Sequence, residues 1–365
     1  MTAARSSTLK VTDDADCIEQ FHRNGWTDGL PVVPPTQARL EQFLAVAGRA
    51  ADELVGTYDM RSRPITVEKI AINAIMAGCL PEHLNTVVAL VDCLLEPQVG
   101  LHVANSSTGS LALGFVVNGP IRHELAMNFH GNVLGPGNRA NASIGRSLRL
   151  IQQNVMGSIA GAGGPEHNQL PILDRSTIGT PAKYAAYHIV ENEEAFPELE
   201  PLHVTLGFER EDSVVTAFTL GNHIMMSNHH EKSPEAWVET IAHYIVTAGR
   251  LDDGGFGVLI VPPEPAEILV KHGWSKRDVA TAVFERTRRS TAWVKRNGFK
   301  IGGRYERGGE VQAGDEERML GAASSPEDIH VVIAGGPAGN FPTFLQTYAS
   351  VFRPASRKLK PNRED

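Results

Sequence analysis

A chain of 365 residues, 42% hydrophobic and 21% charged, is long enough for two or three domains and a full buried core. Its formal charge of −8 comes without a basic block in either half, which argues against nucleic acid and leaves small molecules or proteins as partners. There is no run of about eighteen apolar residues and no apolar stretch of signal-peptide length at the N-terminus, so a cytoplasmic protein that does not enter a membrane is expected.

Residues 12–24 have the pattern of a short amphipathic helix closed by Gly25. The stiff extended segment Trp26-Thr-Asp-Gly-Leu-Pro-Val-Val-Pro-Pro35 follows. It reads either as a clip across the domain surface or as a ligand-facing segment. Thr36 is the expected N-cap of a helix ended by Gly48, and Thr66-Val-Glu-Lys69 opens another ended by Gly78. Cys79 then sits in a helix-to-helix turn near His83. That setting can lower a thiol pKa, which makes Cys79 a candidate nucleophile, with a buried structural cysteine as the other reading. Cys17, Cys79 and Cys93 have no CxxC spacing, which argues against a disulfide scaffold or a structural zinc site, and Cys93 is expected in the core. Residues 111–117 form an expected buried strand.

The stretch His130-Gly-Asn-Val-Leu-Gly-Pro-Gly-Asn-Arg-Ala-Asn-Ala-Ser-Ile-Gly-Arg146 predicts a tight loop feeding a helix, since apolar residues recur at Ile144, Leu148, Ile151 and Val155. Arginines at a helix start oppose the macrodipole and call for an anion. The stretch is therefore read as an anion pocket: Arg139 and Arg146 hold the charge, Asn128, Asn132 and Asn141 orient the ligand, and Gly135 and Gly137 let the backbone approach. Turn chemistry alone is the alternative for the asparagines. His130 is the first choice for general acid or base, because imidazole titrates near neutrality. Glu191 and Lys183 are second choices, with Glu191 and Glu193 placed on one face of an expected strand over 187–193.

Further on, 201–208 and 214–220 read as strands, and His223, His229 and His230 in an expected loop are metal candidates with Glu191. Ser233 caps a helix, 257–261 is a buried strand, and Ser275 with Asp278 forms a capping box. Residues 330–340 predict strand, glycine turn and helix, and the basic stretch from Arg357 reads as a disordered tail. The fold class is α/β in two parts, 1–253 with the anion loop and 254–365 with the Gly-Gly-Pro-Ala-Gly turn.

Trp26-Thr-Asp-Gly-Leu-Pro-Val-Val-Pro-Pro-Thr36, Met76-Ala-Gly-Cys79, Asn118-Gly-Pro-Ile121, Gly135-Pro-Gly-Asn-Arg-Ala-Asn141 with Ile144-Gly-Arg146, and the segment ending Glu191-Asn-Glu193 resemble a bacterial family related to or neighbouring the UGSC-type (seleno)proteins. The resemblance spans most of the chain and implies little established chemistry beyond a thiol or selenol redox protein as partner. The chain has no Cys-Gly-Ser-Cys of its own, so thiol chemistry would fall to Cys79 or to that partner. The expected function is an enzyme, lyase or oxidoreductase, acting on a small carboxylate- or phosphate-bearing metabolite. No cofactor is required by the sequence, and a homo-oligomer is expected. A non-catalytic binding or assembly subunit and a His/Glu metalloenzyme are the alternatives.

Overall fold

The computed structural model describes residues 6–159, 174–228, 232–248, 250–251, 255–298, 310–347 and 352–360. Local signals place the early helices. Asp13 caps α1 (Asp14–Arg23), Thr36 caps α2 (Gln37–Ala47), and Thr66 caps α3 (Val67–Ala77), while Gly48 and Gly78 end the last two in the left-handed region that glycine adopts without cost. Between α2 and α3 lies the hairpin of β1 (Leu54–Tyr58) and β2 (Arg63–Thr66). A 3-10 turn at Pro81–His83 leads into α4 (Leu84–Leu95), and α5 (Leu101–Ser106) precedes β3 (Ala112–Asn118).

From β3 onward the chain builds the same arrangement twice. After β3 come α6 (Ile121–Glu124), α7 (Arg139–Asn154), α8 (Ala182–Ala185), β4 (Tyr187–Val190), α9 (Leu202–Thr205), β5 (Val214–Leu220) and β6 (Asn222–Met225). After α10 (Pro234–Ala248) come β7 (Gly257–Val261), α11 (Pro263–Lys271), α12 (Lys276–Thr287), β8 (Arg289–Ser290), α13 (Thr291–Arg296), β9 (Met319–Leu320), β10 (Ile329–Ile333), β11 (Thr343–Gln346) and β12 (Ala355–Lys358). One sheet runs β4-β3-β5-β12 and the other β10-β7-β11-β6; in each, the first pair is parallel and the next two pairs are antiparallel. The closing bonds correspond as well, with Glu191 N–H donating to Val117 O at the end of β4 and Ala334 N–H to Val261 O at the end of β10. Each half gives its last strand to the other: β6 pairs with β11, and β12 with β5.

The strands are apolar on both faces, as expected of sheets covered on both sides. Val116, Ile189, Phe218, Val258, Ile260, Val332 and Leu345 form one cluster between the sheets. On the outer face of the first sheet, Leu113, Phe115, Val117, Val215 and Ala217 pack with residues of α2, α3, α4 and α7; on that of the second, Leu259, Val261, Val331, Ile333 and Phe344 pack with α10, α11 and α12. The result is an α/β fold of four layers, helices–sheet–sheet–helices.

Several sequence expectations need correction. Residues 202–205 are a helical turn, because the buried Glu191 carboxylate accepts the Leu202 N–H at 2.8 Å and caps it. The stretch around His223 holds β6, which completes the second sheet. No helix follows β10 between residues 334 and 342; the chain turns through Gly335 (φ +115°) and Gly339 (φ +100°) into β11. The start of the basic tail belongs to strand β12, with Arg357 paired to Asp92 and Glu96 and Lys358 to Asp212; residues 361–363 of the tail lie outside the described residues. Among the described residues no helix is long and apolar enough to cross a membrane.

Candidate functional site

The asparagines of the glycine-rich loop fold the loop itself. Asn138 caps α7 by accepting the Asn141 N–H at 3.0 Å. Asn141, 1% exposed, accepts the Asn128 N–H at 3.0 Å and donates to Asn128 O at 2.8 Å. Asn128 accepts the His130 N–H and donates to Gly131 O, both at 3.0 Å, and Asn132, at φ +63°, donates to Pro136 O at 2.8 Å. Gly135 is needed because a β-carbon there would fall on the Asn132 amide, and Gly137 because its φ is +125°. These amides do the work of turns, so the turn reading accounts for Asn128, Asn132 and Asn141.

The two arginines are committed elsewhere. Exposed Arg139 donates from Nε to Gly78 O at 2.9 Å. Arg146 grips both carboxylate oxygens of Asp28 at 2.8 Å and also reaches Pro31 O at 2.9 Å. With Gln153 donating to Gly25 O and Thr27 O, and Asn154 to Trp26 O, α7 laces down the whole Trp26–Pro31 segment as a clip.

His130 is exposed where the two glycine turns meet. It forms a bridge with Gly335, and its ring lies 4.4 Å from that of Phe129, with Nδ1 3.5 Å from the Asn192 amide. It lines a cavity of about 560 Å3 with Arg122 and the loop. Arg122 is 2% exposed and spent on Gly119 O, Glu191 O, Glu193 and Glu194, so it offers no charge to a ligand. The Arg122 bonds hold the Glu194 carboxyl down at about 2 against the effect of burial.

Glu191 is the buried node of the molecule. At 1% exposure, Oε1 pairs with Lys276 and accepts the Ile333 N–H at 3.3 Å, and Oε2 accepts from Asn118 at 2.7 Å and from Leu202 N–H. A carboxylate with this many donors is a structural anchor between the two halves and has no lone pair left for a substrate proton. The strand expected over 187–193 ends at Val190, and Glu193, beyond it, meets Glu191 through the Asn118 amide, accepting from Asn118 at 3.0 Å and from Gly119 N–H at 2.8 Å.

Cys79 is not the activated thiol that its turn suggested. It is 5% exposed, and burial pushes its pKa up to about 12, outweighing Ser143, Arg139 and Ser147. Burial likewise raises Cys93 to about 12 and raises Cys17. Native protein is therefore expected to react with a water-soluble disulfide reagent at least ~100-fold more slowly than urea-unfolded protein, which releases three equivalents. One fast equivalent in native protein would restore a reactive cysteine.

His83 carries the pH dependence of this corner. It is 2% exposed, accepts the Leu80 N–H at 3.2 Å, and burial holds its pKa down to about 4 from an ordinary 6.5, although Glu82 pulls the other way. Between these values the unfolded chain takes up a proton that the folded chain refuses. Its stabilising effect is complete above pH 6.5 and is lost as pH falls toward 4, by about 2 kcal/mol at pH 5. Urea unfolding at pH 7 and pH 5 measures this, and His83→Gln should shrink the difference by that amount; an unchanged difference would remove His83 from the account.

A second cavity lies beside α7. With a volume of about 660 Å3, it is bounded by Thr27, Asp28, Arg149, Gln153, Lys183 and Tyr184, with Ile159, Ile178 and Pro181 completing its wall. Arg149, one helical turn after Arg146, is 7% exposed. Its single hydrogen bond among the described residues is from Nη1 to Asp174 at 3.4 Å. Asp174 is held more firmly by Lys183, whose Nζ lies 2.7 Å from both carboxylate oxygens and 2.6 Å from Ser176 Oγ. Burial would raise Asp174, yet the bonds from Lys183 and Ser176 bring its carboxyl below the usual range; burial draws Lys183 and Arg149 down, against the pull of Asp174. Asp28 is already neutralised by Arg146, which leaves Arg149 and Lys183 facing one carboxylate.

Of the residues expected from sequence, only Lys183 lines this cavity; His130, Asn128, Asn132 and Gly137 line the other one. Arg149 and Asp174 were missed. The signal was present in Gly145-Arg-Ser-Leu-Arg149, where two arginines three apart share one helix face. Among the metal candidates, His223 stands on β6 with its ring 5.4 Å from Tyr187, while His229 and His230 lie outside the described residues. With Glu191 spent, no group of three His, Cys, Asp or Glu side chains among the described residues is arranged to hold a metal ion. In comparisons with known proteins, the chain matches no family model and no curated protein.

Proposed function

We propose that the protein is an enzyme acting on a small metabolite that bears a carboxylate or phosphate, bound in the cavity beside Arg149, with Lys183 as the proton-transferring group. The observation that carries this reading is Arg149 itself. A guanidinium with five donors is nine-tenths buried at a cavity wall and makes, among the described residues, one long hydrogen bond to a carboxylate, which favours an anion opposite it. Lys183 stands in the same cavity, and burial lowers its pKa, which eases release of a proton, against the pull of Asp174. The cavity volume lies in the range of small-molecule sites.

A thermal-shift screen of carboxylates and phosphates against wild type and Arg149→Met tests this. A ligand at a hundred times its Kd stabilises the wild type by about 2.7 kcal/mol, and Arg149→Met should lose that response while remaining folded. No response to any anion, or an equal response in the variant, would overturn the proposal. If Lys183 moves the proton, Lys183→Arg, which keeps the positive charge beside Asp174, keeps the ligand-induced shift and loses turnover of whichever ligand is converted.

A further inference from the structure

We infer that the ligand of the Arg149 cavity is a monocarboxylate with an apolar, ring-sized body, not a phosphate or a short acid; this rests on the anion reading above. Two observations carry it. The first is the charge count among the described residues: there Arg149 and Lys183 face Asp174, while Asp28 and Arg146 cancel, so one positive charge is left for the ligand. A phosphate monoester brings close to two negative charges at neutral pH and would leave one of them uncompensated beside Asp174. A carboxylate brings one, and its planar pair of oxygens matches the guanidinium fork.

The second is the apolar part of the lining. Ile178 is 93% exposed and Tyr184 51% exposed, and both line this cavity together with Ile159 and Pro181. Isolated apolar side chains at a surface are ordinary, but four lining a single cavity that a buried cation also lines make it an amphipathic slot. At about 660 Å3 the slot is far larger than acetate or phosphate needs. Ile178 is followed by Gly179 at φ +84°, whose N–H donates to Ser110 Oγ at 2.9 Å, and this bond ties the turn that presents the isoleucine.

Calorimetric titration of the full chain at pH 7 with acetate, 3-phenylpropanoate, 3-phenylpropanamide and inorganic phosphate tests the inference. Burying a phenyl ring gives about 10- to 100-fold, so 3-phenylpropanoate should bind tighter than acetate by that factor. It should also bind at least tenfold tighter than its neutral amide and than phosphate. Ile178→Ser should weaken 3-phenylpropanoate by about 5-fold and leave acetate unchanged, and its exposed position spares the fold. Acetate or phosphate binding as tightly as 3-phenylpropanoate, or Ile178→Ser without effect on it, would overturn the apolar class while Arg149 still governs binding. If Arg149→Met binds every anion as the wild type does, the anion reading itself has failed.

Discussion

Glu191→Ala should cost about 3–5 kcal/mol of stability, the usual loss when one partner of a buried ion pair is removed and the other is left uncompensated. The stranded partner is Lys276, 7% exposed at the first position of α12, and the Leu202 and Ile333 N–H groups lose this acceptor too, while Asn118 keeps its bond to Glu193. Glu191 closes the first sheet and Lys276 and Ile333 belong to the second half, so the damage falls on the joint between halves. Urea unfolding should show the midpoint falling with an unchanged slope. Lys276→Met should cost less, since three hydrogen-bond donors still hold the carboxylate. A loss below about 1 kcal/mol in Glu191→Ala would mean that the joint is carried by the apolar face between the sheets. Ligand binding at Arg149 should persist in both variants, because neither residue lines that cavity.

Which features could be read in advance follows from the range of the interaction. The caps at Thr36, Thr66 and Ser275, the left-handed ends at Gly48 and Gly78, and the strands at 112–118 and 257–261 are decided by residues within four positions or by apolar runs, and they stand as expected. The exchange of β6 and β12 between sheets depends on partners more than a hundred residues apart, and no local pattern encodes it. The doubled topology escaped for a related reason: the two halves share strand order and direction while their residues differ, as Asn118-Gly-Pro at the end of β3 against Pro262-Pro at the end of β7 illustrates. Arginines at the start of α7 do call for an anion, and the chain itself provides one. Asp28, 118 residues earlier in the chain, supplies that charge to Arg146. The next arginine along the same face, Arg149, is buried with a single long hydrogen bond among the described residues.

Gly145→Ala tests how tightly that face is built. In an exposed helix interior the change stabilises by about 1 kcal/mol, because glycine lacks side-chain restraint on the unfolded chain. Here a β-carbon at 145 would fall on the Ala185 carbonyl oxygen, a backbone atom that no rotamer change can move. Relief requires α8 to lift from α7, and α8 leads through Ala186, already at φ +55°, into β4. The expected result is destabilisation by about 3 kcal/mol, the upper end of overpacking costs, read by urea unfolding. Lys183 sits in α8, so its bonds to Asp174 and Ser176 should loosen with the helix, and anion affinity should fall together with stability. Ala186→Gly, which relaxes the positive φ and lets the 185–186 backbone swing, should recover part of both losses. A Gly145→Ala protein more stable than wild type by about 1 kcal/mol would show instead that the α7–α8 contact yields freely, and then the geometry of Lys183 against Arg149 could not be held by it.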